Sequence, residues 1–389
     1  KSAIPTWKTE CASQTPDLLS HMILVPYSQL HHIVHRVKYA DIRLICYDEV
    51  HYLKSPDTKR VRDLANLLEA IGSVNGKFEY GRTITMTGTP MPNGAHELYT
   101  TWVLCTSPNL VEAASRLRDE EKFKQWKTTF SQRKERVFMK YNAKLGKKVE
   151  NSGSTHQGVA NEEMLNQLLK EFVHFVRTED CMDLPESVDN YIDLELEDDK
   201  LLEDADIDKP EAYMAILERL ARAKAPYMFE WVKDFLAAGS EQLIVFSSYT
   251  KPIRQLKEKF KKDVTIITGA EDDYERAESI LAFQQGKIRV LAMSYKCGSE
   301  SLNLQNAQHS LYAGFPWHRG ALDQAMARTK RGGQKHTTFH NFLMSGFNDQ
   351  NILRMVRKKG QATDKVENLL LDNSNNTQNN IINSLDELL

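Results

Sequence analysis

The sequence predicts an α/β protein made of two tandem lobes with parallel sheets, and three observations lead there. Short apolar runs alternate with helical segments twice along the chain, the pattern of strand, crossover helix and parallel strand. The 389 residues are too many for one ordinary core and suit two or three domains. At 41% hydrophobic and 27% charged residues, the chain carries enough apolar material to fill such cores.

In the first lobe, Met22 to Val25, closed by Pro26, and Ile42 to Tyr47 read as buried strands. His31 to Tyr39 reads as a helix between them. Thr58 to Ile71 is amphipathic, with Val61, Leu64, Leu67 and Leu68 at helical spacing. Thr83 to Thr87 is a third strand that runs into Gly88-Thr89-Pro90. Arg116 to Lys148 is rich in Lys and Arg, carries Phe123, Trp126 and Phe130, and leads into a Gly/Ser-containing stretch, Asn151 to Gly158. This reads as a helical insertion spanning about residues 111–160, helices followed by a loop. Asn161 to Val173 resumes a helical pattern that Leu184-Pro185 ends. The first lobe is thus assigned residues 1–185 and is expected to be incomplete at its N-terminus.

The second lobe is assigned residues 186–362. It opens with a strand, Tyr191 to Leu196, an acidic solvated stretch, Glu195 to Asp208, and a long helix, Pro210 to Ala238. Then come strand Leu243 to Phe246, helix Ile253 to Phe260, strand Val264 to Ile267, helix Tyr274 to Phe283 and strand Ile288 to Met293, a second doubly wound pattern. Thr337 to Phe342 is a last strand and Asn348 to Lys359 a helix. Residues 363–389, with the Asn/Gln-rich run Asn373 to Asn380, are expected to form a flexible polar tail.

No stretch approaches the roughly 20 apolar residues that span a bilayer, which argues against a membrane protein. The five cysteines are scattered, with no Cys-x-x-Cys pair, so neither a disulfide framework nor a thiolate zinc site is suggested and a reducing cytoplasm fits. His31, His32 and His35 have helical spacing but no further ligand nearby, and read as an ordinary surface helix. A net charge of −2 leaves any nucleic-acid contact to local patches.

The sharpest feature is Asp48-Glu49-Val50-His51 at the end of a buried strand. A carboxylate there can hold a Mg2+ that bridges nucleotide phosphates, and its neighbour can orient or deprotonate water. Two acids after a strand also suit a capped helix start. Thr87-Gly88-Thr89-Pro90 closes the third strand. Far downstream, Arg328 and Arg331 stand three apart in a helical reading, a spacing from which both guanidinium groups can reach one γ-phosphate. The alternative for that pair is a solvated basic face. The basic, aromatic-bearing stretch Lys122 to Lys148 can likewise track a phosphate backbone, or pack its rings inward as an insertion.

These motifs and their order resemble the Swi/Snf branch of helicase superfamily two over nearly the whole chain. Asp48-Glu49-Val50-His51 with Lys54 resembles the family's Asp-Glu-Ala-His box and trailing lysine, and Met86 to Asn93 its Leu-Thr-Gly-Thr-Pro-x-x-Asn motif. Phe175-Val176-Arg177-Thr178 with Leu184-Pro185 resembles the segment between lobes. In the second lobe the similar segments are Leu243 to Tyr249, Ile267-Thr268-Gly269 with Arg276 and Phe283, Ser294 to Leu304, Pro316-Trp317 and Gln324 to Gln334. Ala327, Ser299 and Ser301 stand where the family has glycine, which fits a divergent viral or bacterial branch.

The resemblance implies two RecA-like lobes that use ATP and Mg2+ at their cleft and step along DNA, principally double-stranded, through backbone contacts. It implies Asp48 as the Mg2+ ligand, Glu49 as the water-positioning base, and Arg328 and Arg331 as γ-phosphate groups. His51, Gln334 and Gly298 are expected near the nucleotide. Thr87, Gly88, Thr89, Ser247, Ser294 and Asn303 are expected in DNA contact or coupling. A strand-separating helicase and a non-catalytic DNA-binding scaffold stay open as alternatives. No Gly-x-x-x-x-Gly-Lys-Ser/Thr loop occurs, and Pro5 to Glu10 resembles the segment after the family's second motif. The expectation is therefore a chain truncated before that loop, which hydrolyses ATP poorly by itself.

Overall fold

The computed structural model describes residues 3–37, 42–75, 83–91, 93–142, 147–176, 181–196, 210–298, 302, 304–316, 319–330, 334–346, 349–354 and 356. Its packing separates two units, one of Ile23–Phe175 and one of Val176–Lys358 together with Ser2–Met22.

In the first unit, strands β1 (Ile45–Tyr47) and β2 (Thr83–Thr85) pair in parallel, Ile45 opposite Thr83 and Tyr47 opposite Thr85. The helix Lys59–Asn75 connects them, as a parallel pair requires. Its Val61, Leu64, Leu68 and Ile71 are buried in one cluster with Leu53, Tyr99, Leu110 and Trp126. The helix read at His31 to Tyr39 forms over Leu30–Val37. Met22 to Val25, read as a strand, have no strand pairing, and Pro26, which lacks an N–H, opens a short turn over Tyr27–Gln29.

The insertion departs from its helical reading. Helices Leu110–Arg118 and Glu120–Phe130 do form, capped by the side chains of Asn109 and Asp119. An antiparallel ribbon follows, β3 (Gln132–Asn142) and β4 (Lys147–Gln157), paired from Gln132 opposite Gln157 to Asn142 opposite Lys147. Phe123, Trp126 and Phe130 are buried, with Trp126 stacked on Trp102 at 4.9 Å. Those rings therefore build the core and offer no stacking platform to bases.

The second unit holds a six-stranded, all-parallel sheet in the order β5-β10-β9-β6-β8-β7, with β5 Ser187–Asp193, β6 Leu243–Ser247, β7 Val264–Ile267, β8 Val290–Ser294, β9 His309–Tyr312 and β10 Thr338–Met344. Both faces are covered. Ile244 and Phe246 join Leu291, Met293, Tyr312 and Phe342 in one cluster, while Leu243 and Val245 join Val290, Ala292, Leu311 and Met228 in the other. Alternation across a strand buried on two sides explains why these strands read as unbroken apolar runs. The long helix forms over Pro210–Ala238 and the helix read at Tyr274 to Phe283 over Asp273–Gln284, the latter with a capping box at Asp272 and Glu275.

Candidate functional site

The first unit gathers its sequence motifs where β1 and β2 end. Beyond the strands the pairing continues through Met86, whose N–H donates to the Tyr47 carbonyl at 2.8 Å and whose carbonyl accepts from Val50 N–H at 3.0 Å. Thr87 is thereby carried alongside Glu49. The chain reverses sharply at Glu49, which adopts the left-handed conformation at φ 50°, ψ 53°. A side chain with a Cβ is disfavoured there, and such strain concentrates at functional sites.

The Glu49 carboxylate then meets a polar cluster. Its Oε2 lies 3.1 Å from His51 Nδ1 and accepts from the Thr87 hydroxyl at 3.4 Å. His51 Nδ1 also lies 2.9 Å from Thr87 Oγ1 and 3.2 Å from Thr89 Oγ1. Thr89 N–H donates to Thr87 Oγ1 at 3.1 Å, which fixes the second loop on the first. The phenol of Tyr27 donates to the Asp48 carbonyl at 2.7 Å. Burial first, then the Asp48 and Glu49 carboxylates, pushes that phenol above its ordinary pKa, so it stays a neutral donor. The structure thus brings together Glu49, His51, Thr87 and Thr89, with Asp48 adjacent in the chain and Gly88 between the two threonines.

A buried carboxylate that the sequence reading passed over lies one turn away. Glu97 is 4% exposed. Its Oε1 accepts from Lys54 Nζ at 2.7 Å and from Asn93 Nδ2 at 2.7 Å, and its Oε2 accepts from Asn93 N–H at 2.9 Å. Lys54 trails the acidic box and Asn93 ends the threonine motif, so Glu97 ties the two motifs a second time. Those two residues were already singled out, and a carboxylate four positions beyond Asn93 was the available signal.

In the second unit Ser247 and Ser294 end β6 and β8 as register partners, both buried. They stand at the carboxyl edge of the parallel sheet, where ligands of such sheets bind. Gly298 ends the four-residue helix Tyr295–Gly298 directly after β8. The helical reading is corrected at Arg328. The helix Arg319–Met326 ends first, because the N–H groups of Arg328 and Thr329 turn to the carbonyls three residues back. Arg328 is 4% exposed and donates to the Leu302 carbonyl at 3.2 Å. Gln334 is likewise committed inside the fold. Its amide nitrogen lies 2.8 Å from the Gln305 carbonyl, and its oxygen accepts from Lys335 and His336 N–H. Arg331 and Asn303 lie outside the described residues, as do Arg177, Thr178 and Trp317.

A single carboxylate at a strand end suits Mg2+, which takes one or two protein oxygens and completes its shell with water and phosphate. Asp48 fits that role by position and donor type.

Residues 227–333 match the helicase conserved C-terminal domain. Among curated proteins, the DNA annealing helicase and endonuclease ZRANB3 of Bos taurus is 24% identical over 351 residues, covering 84% of this chain and 30% of that protein. The DNA repair protein RAD5 of Eremothecium gossypii is 31% identical over 141 residues, 33% of this chain and 13% of that protein. The SWI/SNF-related matrix-associated actin-dependent regulator of chromatin subfamily A-like protein 1 of Xenopus tropicalis is 28% identical over 165 residues, 40% of this chain and 18% of that protein. The crystal structure of the C-terminal part of the Fun30 ATPase domain aligns with a TM-score of 0.32 at 17% identity, over 39% of this chain and 54% of that one. The chain spans about 30% of the length of the ZRANB3 proteins it matches. The helicase C-terminal match and these relatives support an SNF2-type helicase of superfamily two, the family that the acidic box and the threonine motif resemble.

Proposed function

We propose that the chain supplies part of the motor of a DNA translocase, in which hydrolysis of ATP drives movement along double-stranded DNA. The observation that carries this reading is the Glu49–His51–Thr87–Thr89 cluster, held beside Asp48 by a left-handed Glu49. A carboxylate fixed by an imidazole and a hydroxyl is pre-oriented toward one acceptor direction, which is what positioning a water for attack on a phosphoryl group needs. Asp48 would hold Mg2+, whose chemistry is to neutralise charge on the phosphate oxygens. Thr87 and Thr89 connect the carboxylate to the loop that leads to Asn93, so a change at the nucleotide side reaches that loop directly. Arg331 supplies positive charge to the γ-phosphate, while Arg328 is committed to the Leu302 carbonyl. Ser247, Ser294 and Asn303 contact or sense the DNA backbone, which gives little sequence preference.

The test is ATP hydrolysis by the full-length protein with and without duplex DNA, beside its Glu49→Gln variant. Duplex DNA is expected to raise the rate, and Glu49→Gln to lower kcat by roughly 10²- to 10⁴-fold with KM little changed. Hydrolysis that is indifferent to both would sink the motor reading.

A further inference from the structure

We infer that the β3–β4 ribbon is a contact for the backbone of duplex DNA, and that the segment Asn93–Glu97 transmits its position to the Glu49–His51–Thr87–Thr89 cluster. The inference rests on the motor reading above and adds to it a binding surface and a route.

The ribbon stands apart from both sheets. Its strands pair only with each other over eleven residues a side, so no described strand covers either edge. Its composition opposes that of the chain. The two strands hold Arg133, Lys134, Arg136, Lys140, Lys147 and Lys148 against Glu135 and Glu150, whereas the whole chain has a net charge of −2. The excess of six basic residues over two acidic ones is a property of the ribbon's sequence. A two-stranded ribbon with such an excess of positive charge is complementary in shape and charge to duplex DNA, whose major groove admits such a ribbon.

The base of the ribbon is bonded to the catalytic side of its own unit. Gly158, next after β4, donates to the Asn93 carbonyl at 2.9 Å and accepts from Ala95 N–H at 3.0 Å. Ser131, next before β3, accepts from His96 N–H at 3.0 Å through its hydroxyl. Both roots of the ribbon therefore grip residues 93–96. Glu97 follows immediately, and its carboxylate holds Lys54, three residues from His51, and Asn93, four residues from Thr89. A displacement of the ribbon must move this segment, and the segment is anchored at two points to the loops that carry the cluster. Glu97 is thus a positioning residue.

The full-length protein tests both halves. Lys134→Glu/Arg136→Glu/Lys140→Glu should lose about tenfold or more in duplex affinity at low salt, and the slope of log affinity against log salt should flatten by about 2–3. Equal affinity and slope in the first variant, or a loss confined to single-stranded DNA, overturns the duplex contact. Glu97→Gln, and Lys54→Met as a partner-side variant with little burial at stake, should bind duplex DNA within about twofold of the parent yet lose most of the ratio of DNA-stimulated to basal hydrolysis. A preserved ratio in both overturns the route. If the parent protein shows no DNA-stimulated hydrolysis, the motor reading fails, while the affinity series still decides whether the ribbon binds DNA.

Discussion

Glu49 combines two demands that pull against each other, a side chain that the chemistry needs and a backbone conformation that suits glycine. The conflict gives a clean comparison. Glu49→Ala and Glu49→Gly both lack the carboxylate, and the Ala variant alone keeps a Cβ in the left-handed region. The Gly variant should be the more stable of the two by about 1 kcal/mol in chemical denaturation, with both inactive. Equal stabilities would mean that the reversal at Glu49 is absent in solution. A second residue-scale case is Lys224, which is 1% exposed, paired with an equally buried Asp349, and donates to the Leu343 carbonyl at 2.7 Å. Burial lowers its pKa, and Asp349 opposes that shift. Lys224→Met strands a buried carboxylate, so the loss should be roughly 3–5 kcal/mol, and Lys224→Met/Asp349→Leu should recover most of it. A double variant as unstable as the single one would argue that Lys224 acts through something other than this pair. Asp48, Glu49, His51 and Thr87 were legible in the sequence because motif residues adjoin strand ends. Glu97 and the Lys224–Asp349 pair were not, since each becomes distinctive only through contacts that the fold creates.

At the scale of elements, the strands buried on both faces were the easiest to read and the ribbon the hardest. Leu243 to Phe246 and Val264 to Ile267 are continuous apolar runs because neighbours cover both sides. The ribbon strand Gln132–Asn142 opens on the charged run Arg133, Lys134, Glu135 and Arg136, and that Lys and Arg content reads as helical. Strand β9 was missed because it is four residues long and starts with His309 and Ser310. The bridge between Gly94 and Gly158 decides where the ribbon is rooted. A Cβ on Gly94 would stand 2.5 Å from the Gly158 carbonyl oxygen and 2.6 Å from its nitrogen. Gly94→Ala should therefore break the bridge and destabilise the first unit by roughly 2 kcal/mol or more. Hydrogen exchange should show it as faster exchange at the Ala95 and Gly158 amides, while the Val50 and Met86 amides keep their protection. Uniform deprotection would instead mean that the bridge is not a separable element.

At the scale of the whole molecule, three histidines among the described residues are held below their ordinary pKa, chiefly by burial, which sets a direction for the pH dependence of stability. His96 belongs to the first unit and His309 and His340 to the second, where His340 is 1% exposed and lies 3.1 Å from the Tyr312 hydroxyl. Burial, with the Lys330 charge adding to it, pushes His340 down to about 4. An unfolded imidazole takes up its proton near 6.5 and the native one only near 4, so within that window the unfolded state binds more protons. Stability must then fall as the pH drops from 6.5 towards 4, by an amount for His340 on the order of 3 kcal/mol once both states are protonated. His96 and His309 contribute with the same sign. The urea midpoint of the protein should accordingly drop between pH 7.5 and pH 5, and His340→Gln should flatten that dependence whatever it does to stability at neutral pH. A midpoint that rises on acidification, or an unchanged slope in the variant, would show that His340 is not held neutral in the native core.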